Sequence, residues 1–238
     1  YEQMKYDFNY FTASRTDFPS AILPQLFAGS SDKGRQANDG SASVSSRKNY
    51  FGRLTYDFSH KYLAQLIFRY DGSPNFPENK RWGFFPGISV GWRISEESFM
   101  ESISAIDELK LRASYGEMGN DSIPSFQYIT AYGYANNYVV GNSDVIGLSP
   151  SGAANPNITW EVVKMTNIGF DMSLFGDALA VTFDYFNTNR SNILTKRTVV
   201  IPDYTGLVLP DENVGEVENK GFELSMQHRK TVNRITYS

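Results

Sequence analysis

The chain has no cysteine in its 238 residues. Disulfide frameworks, thiolate metal centres and cysteine nucleophiles are thereby excluded. No apolar run approaches the roughly 18 residues that a membrane helix needs, and the mean hydropathy is −0.38. A helical span is ruled out, but a membrane barrel is not, because barrel strands conceal their apolar content by alternating it with polar residues. Positive charge is also scarce. The 22 Lys and Arg are outnumbered by 26 Asp and Glu, giving a net charge of −4, which argues against nucleic acid as a partner, since phosphate recognition requires a basic face. The two histidines, His60 and His228, lie at or near expected turns, and His60 has no ligand set at metal spacing. No nucleophile elbow, Walker loop or dinucleotide-type glycine run occurs. Asp71 to Asn79 starts like a calcium loop but has Phe76 where the loop needs Gly and Trp82 where it needs Glu, so a plain connection is expected. The sequence therefore predicts neither an enzyme nor a resident cofactor or metal.

Aromatic residues, by contrast, are plentiful: 15 Tyr and 17 Phe. Many of them fall in seven stretches where apolar and polar residues alternate and the charge is confined to one alternate set. In Asn49 to Phe58 the apolar set is Tyr50, Leu54, Tyr56 and Phe58, with Arg53 and Asp57 opposite. Tyr62, Ala64, Leu66, Phe68 and Tyr70 oppose Gln65, Arg69 and Asp71. The other stripes are Ile88/Val90/Trp92/Ile94, Leu109/Leu111/Ala113/Tyr115, Thr166/Ile168/Phe170/Met172/Leu174, Leu179/Val181/Phe183/Tyr185 and Phe222/Leu224/Met226. Between them fall Arg93, Lys110, Arg112, Asp171, Asp184 and Glu223. Side chains alternate with period two along a strand, so such a wall meets lipid on one face and lines a polar lumen with the other. Leu63 and Ile67 break the pattern by pointing to the polar side.

The connections alternate between two kinds. Ser59 to Lys61, Gly176 to Ala178 and Thr231 to Asn233 read as tight turns. Thr12 to Lys48, Gly72 to Lys80, Asn120 to Thr159 and Asn189 to Asn213 read as long loops rich in Gly, Ser, Asn, Asp and Pro. The join from Ser95 to Asp107 falls on the tight side and carries the acidic start and spaced apolars of a short helix capped near Ser95 or Glu96. Short turns on one rim and long loops on the other mark an outer-membrane barrel. Rings sit where such a barrel needs interfacial girdles: Tyr56, Phe58, Tyr62 and Trp92 toward the short turns, Tyr70, Trp82, Phe84 and Tyr115 toward the long loops. Gly83, Gly87 and Gly91, spaced by four, would thin the wall where lumen contents approach. Pro86 predicts a bulge or a rim position, and the run Asn219-Lys220-Gly221 a kink or bulge inside a long strand. The first residues, YEQMKYDFNY, have no signal-peptide character, and NRITYS at the end starts a further strand, so an internal piece of a longer polypeptide is expected.

With these residues in view, a family resemblance emerges. KNYFGRLTYDFSHKYLAQLIFRYDGSPNF (48 to 76), RWGFFPGISVGWRISEESFM (81 to 100), LKLRASYGEMGN (109 to 120), NPNITWEVVKMTNIGFDMSLF (155 to 175) and NVGEVENKGFELS (213 to 225) closely resemble the C-terminal barrel of SusC/RagA-type TonB-linked outer-membrane transporters. The resemblance implies an all-β fold, an antiparallel transmembrane barrel segment of about eight or nine strands from a barrel of roughly 22. On this reading residues 1–238 all belong to the barrel domain, with the plug and signal peptide outside them. It further implies a bacterial outer-membrane location, a SusD-like surface lipoprotein partner, TonB engaged through a missing N-terminal part, and oligosaccharide or peptide as cargo.

Within the loop from Asn120 to Thr159, Tyr128, Tyr132, Tyr134, Asn136, Asn137 and Tyr138 combine flat rings with amides suited to sugar faces or peptide backbone. They are the candidate cargo contacts; a tyrosine-rich hairpin folded on itself is the plainer reading. Two other classes compete with the transporter segment. One is a self-contained small outer-membrane barrel acting as adhesin or enzyme, and the other is a soluble β-rich binding domain.

Overall fold

In a computed structural model of the chain, the described residues are 1–134, 138–150, 152–196, 209–232 and 235–237. The chain forms an eight-stranded sheet built from β1 (Glu2–Arg15), β2 (Gln36–Phe58), β3 (Tyr62–Gly72), β4 (Trp82–Arg93), β5 (Ile106–Asn120), β10 (Glu161–Leu174), β11 (Leu179–Lys196) and β12 (Asp211–His228). Three two-stranded ribbons accompany it. β6 (Tyr132–Tyr134) pairs with β9 (Leu148–Pro150), and β7 (Tyr138–Val140) pairs with β8 (Ser143–Val145) inside it. β13 (Lys230–Val232) pairs with β14 (Ile235–Tyr237) near the end. The all-β, antiparallel strand arrangement that the resemblance implies is present from β3 to β12.

Two compact units divide the chain, Glu2–Lys48 and Asn49–Ser238 with Tyr1. The first holds β1 and the leading part of β2. Residues 36–48 were expected to be loop, yet they are strand. This stretch is exposed on both faces, so it has no apolar side to alternate with a polar one, and period two leaves no mark on its sequence. The loop proper shrinks to residues 16–35. Likewise the long loop expected from Asn189 shortens, because β11 continues to Lys196 and β12 begins at Asp211.

In the second unit the register aligns the stripes. One row runs Tyr62, Trp92, Leu111, Phe170, Phe183, Leu224 across six strands. The next runs Ala64, Val90, Ala113, Ile168, Tyr185, Phe222. Most of these side chains are exposed, which for a contiguous apolar surface signals contact with something other than water. The opposite face carries the row Leu63, Gly91, Arg112, Gly169, Asp184, Glu223.

The glycines serve the wall itself. A Cβ on Gly52 would lie 2.5 Å from the Phe68 ring, one on Gly72 2.8 Å from the Trp82 ring, and one on Gly87 2.7 Å from Ile67. The misplaced Leu63 and Ile67 lie opposite cross-strand glycines, Gly91 and Gly87, and at Gly87 the missing Cβ makes room for Ile67. Pro86 makes no bulge. It sits opposite Phe68 in an unbroken β3–β4 ladder, and the β4–β5 ladder ends beside it at Gly87–Gly116, where its missing N–H has no partner to lose. The residues Asn219 to Gly221 are also in regular register, and the bulge lies across the ladder at Ser191 and Asn192, where Asn192 has φ 58.

Of the tight turns, Ser59 and His60 hold φ 54 and 57, the left-handed pair that a two-residue hairpin needs. Asp57 supports them by accepting the His60 backbone N–H at 2.8 Å and facing the His60 ring at 3.0 Å. The β10–β11 turn holds Phe175, Gly176 and Asp177 at φ 59, 65 and 61. Thr231 and Val232 are strand residues, and the rest of the turn expected over Thr231 to Asn233 lies outside the described residues. The helix expected after Ser95 is two 3-10 turns, Ile94–Glu96 and Ser98–Met100. Arg93 and Glu97 flank them, and Ser95 is internal.

Candidate functional site at the long-loop rim and polar face

Both rims carry stacked rings. Toward the short turns Tyr56, Phe58, Tyr62 and Trp92 follow one another at 6.4 to 6.5 Å between centroids. Toward the long loops Tyr70 and Trp82 stack at 4.8 Å, with Tyr50 6.1 Å from Trp82. The eight strand steps between Tyr62 and Tyr70 span about 26 Å at roughly 3.3 Å each, close to the ~25 Å apolar band of an outer-membrane barrel before strand tilt shortens it. Two ring belts separated by an exposed apolar band are the geometry of a bilayer-spanning wall.

The long-loop rim holds the buried cluster of Phe76, Phe85, Ile158 and Trp160. Phe76 and Trp160 lie 4.9 Å apart and Phe85 and Trp160 5.3 Å apart. The backbone and polar groups of the loops close around this cluster. The Asn75 amide donates to the Asp121 carbonyl at 3.0 Å, Lys80 Nζ to the Asn157 carbonyl at 2.7 Å, and the Asn155 amide to the Asp211 carbonyl at 2.7 Å. Asn213 accepts the Thr159 N–H at 2.9 Å and donates to the carbonyls of Thr159 and Asn192 at 2.8 and 2.7 Å. Loops tied by such bonds form a firm rim from which the β6–β9 ribbons rise.

The six candidate cargo residues separate. Tyr128 packs against the buried cluster and donates its hydroxyl to the Pro74 carbonyl at 3.4 Å, so it braces the loop. Tyr132, Tyr134 and Tyr138 stand on β6 and β7, well exposed, with Tyr134 at 85%. Tyr132 and Tyr134 share one face of β6. Asn136 and Asn137 lie outside the described residues. The hairpin reading describes what is present: a ribbon folded on itself with Tyr132, Tyr134 and Tyr138 exposed.

On the polar face, Arg112 contacts two carboxylates, Nε to Asp171 Oδ2 at 2.8 Å and Nη2 to Asp184 Oδ2 at 2.9 Å. At the upper end Arg190 pairs with the nearly buried Glu161 at 2.8 Å. At the short-turn rim Glu97 accepts from Tyr62 Oη at 2.7 Å, from Trp92 Nε1 at 3.1 Å and from Lys61 Nζ at 3.1 Å. The Tyr62 and Trp92 donors, with Lys61 after them, hold the Glu97 carboxyl below its ordinary range. The charges themselves are legible in the sequence, but their partners lie on other strands and need the register. Among the described residues no group of three or more His, Asp or Glu is placed to hold a metal. The Asp71 carboxylate faces the Arg69 guanidinium at 3.0 Å.

Known proteins resemble this chain in sequence and in fold. The TonB-dependent receptor P3 of Formosa agariphila is 36% identical over 186 residues, 77% of this chain and 18% of that protein. SusC of Bacteroides thetaiotaomicron is 31% identical over 191 residues, 78% of this chain and 19% of that receptor. The RagAB peptide importer in its closed-closed state superimposes with a TM-score of 0.82 at 26% identity, covering 97% of this chain and 25% of that one. The chain thus spans less than a fifth of the curated receptors it matches. The family described as TonB dependent receptor-like, beta-barrel, matches residues 2–238, so with its ring belts, exposed apolar face and alternating rims this chain belongs to the TonB-dependent receptor-like β-barrel family.

Proposed function

We propose that these residues form part of the wall and outer loops of a larger outer-membrane barrel that imports oligosaccharide or peptide nutrients, driven through TonB. The observation that carries this reading is the exposed apolar face, in register over six strands and opposed by a charged face. Eight strands closed on themselves leave a lumen filled by side chains, and left open they present two unpaired edges. The wall therefore functions within a barrel of about 22 strands, whose plug and TonB contact lie in other parts of the polypeptide. The long loops face outward, a SusD-like lipoprotein closes the mouth above them, and Tyr132, Tyr134 and Tyr138 contact cargo there.

Orientation and location are tested together. In the full-length receptor on intact cells, a cysteine at Asn142, in the turn between β7 and β8, labels with a membrane-impermeant thiol reagent, and one at Ser59 labels only after the outer membrane is opened. Labelling of Ser59 alone on intact cells reverses the orientation, and equal labelling at both sites removes the membrane from the reading.

A further inference from the structure

The short-turn rim carries more apolar surface than a row of turns needs. Phe99 is 62% exposed, Ile103 43% and Phe175 65%. Phe175 is also held at φ 59, a left-handed conformation that bulky residues avoid, so packing and turn chemistry both leave its ring unexplained. These residues are joined into one structure. The Phe175 N–H donates to the Ala105 carbonyl at 3.0 Å, and the Asp177 N–H to the Asp107 carboxylate at 3.0 Å. The β10–β11 turn is thereby fixed to the segment of residues 94–105 that joins β4 to β5.

The side of the wall on which this segment lies follows from Glu97. Its carboxylate meets the hydroxyl of Tyr62 and the indole N–H of Trp92, two rings paired in the apolar stripe. At Glu97 the segment meets the polar tips of the apolar-face belt, while Glu96 just before it pairs with Arg93 of the polar face at 3.2 Å. An ionised carboxylate is excluded from hydrocarbon, so Glu97 marks the depth at which headgroups begin. Phe99 follows two residues later on the adjoining 3-10 turn, which puts it at the level of the ~5–10 Å boundary layer that amphipathic segments occupy.

We infer that residues 94–105 and the Phe175 turn form an interfacial foot that inserts Phe99, Ile103 and Phe175 into the headgroup and acyl boundary of the phospholipid leaflet on the short-turn side. The inference rests on the membrane-spanning reading above. Its ligand is the lipid surface itself, and its role is to fix the depth of this edge of the barrel while the lumen contents move.

The test uses the full-length receptor with any other accessible thiol removed, reconstituted into phosphatidylethanolamine and phosphatidylglycerol bilayers. An environment-sensitive fluorophore is attached to Phe99→Cys, Ile103→Cys, Ile168→Cys at mid-stripe or Asp144→Cys in the outer ribbon, and correct assembly is checked by heat-modifiable migration. Phospholipid brominated high on its acyl chains is one quencher and aqueous iodide the other. The foot predicts bromolipid quenching at position 99, the deciding site, and at 103 as its replicate, alongside position 168, with iodide alone acting at 144. Quenching at 168 combined with iodide quenching at 99, or with protection of 99 from both quenchers, overturns the foot in favour of water or covering protein and leaves the spanning reading in place. Absence of bromolipid quenching at 168 overturns the spanning reading, and the foot with it.

Discussion

Arg112 on β5 reaches over β10 to place its Nη2 2.9 Å from Asp184 Oδ2 on β11, and the residue in register between them is Gly169. A Cβ on Gly169 would stand 2.5 Å from Asp184 Oδ1 and press on the Phe183 carbonyl. Glycine is what lets an ion pair cross a whole strand, and Asp171, two residues on, closes the other side of the guanidinium. The result is a polar-face clamp that ties three consecutive strands.

Gly169→Ala removes the gap. We expect it to lower unfolding free energy by about 1–3 kcal/mol, the range allowing for partial solvent screening of the clamp. Arg112→Met alone leaves two carboxylates facing each other, and adding Asp184→Asn recovers part of that loss. A double-mutant cycle by urea unfolding of the reconstituted receptor measures this. Strictly additive losses for Gly169→Ala and Arg112→Met would show that the clamp does not act as one unit.

Charge on the two faces separates wall from soluble sheet. Leu66→Arg and Ile168→Arg, on exposed apolar-face positions, should impair assembly by about 2–4 kcal/mol if they lie at mid-bilayer. Thr182→Arg lies on the other face, where the Thr182 hydroxyl already meets Asp171 at 3.4 Å, so a cation finds a partner and the loss is small. The readout is the folded fraction by heat-modifiable migration, and equal tolerance at all three sites contradicts a lipid-facing stripe.

The tyrosines of the outer loop should separate by role. Replacing Tyr132, Tyr134 and Tyr138 together by Ala should lower uptake of the receptor's own glycan or peptide while surface abundance is unchanged, because the rings are exposed and contribute nothing to the core. Tyr128→Ala should instead loosen the loop, raising its protease sensitivity, since the ring packs on the cluster of Phe76, Phe85, Ile158 and Trp160. Unchanged uptake in the triple variant removes the ribbon from cargo binding.

The Glu97 contact predicts a one-sided pH response. Its carboxyl titrates below the ordinary value of 4.5 because Tyr62, Trp92 and Lys61 donate to the charged form. A group depressed in the folded state contributes stability that is complete above its unfolded pKa and is lost as pH falls through the folded one. Amide exchange of residues 94–105, corrected for intrinsic rates, should therefore be flat from neutral pH to about pH 5 and rise only in more acid solution. Glu97→Gln should exchange faster at neutral pH and show no such rise, and a wild-type rise already near neutral pH contradicts the assignment to Glu97.

By itself the sequence determined the wall. Alternation with period two, with charge confined to one alternate set, located seven of the eight sheet strands, the face each side chain takes, the ring belts and the Ser59 turn. All of these are local, because neighbouring residues on a strand face opposite ways whatever the partner strand is. The tertiary structure decided what depends on pairing. Residues 36–48 are strand although Ala37, Ala42 and Val44 are their only apolar side chains, since a segment exposed on both faces has no pattern to show. Tyr128 became a brace once Phe76, Phe85, Ile158 and Trp160, from distant parts of the sequence, came together as the cluster it packs on. The Arg112 clamp and the three donors on Glu97 depend on cross-strand register, which a strand's own residues do not encode because it is set jointly by the turns and by the packing of both strands.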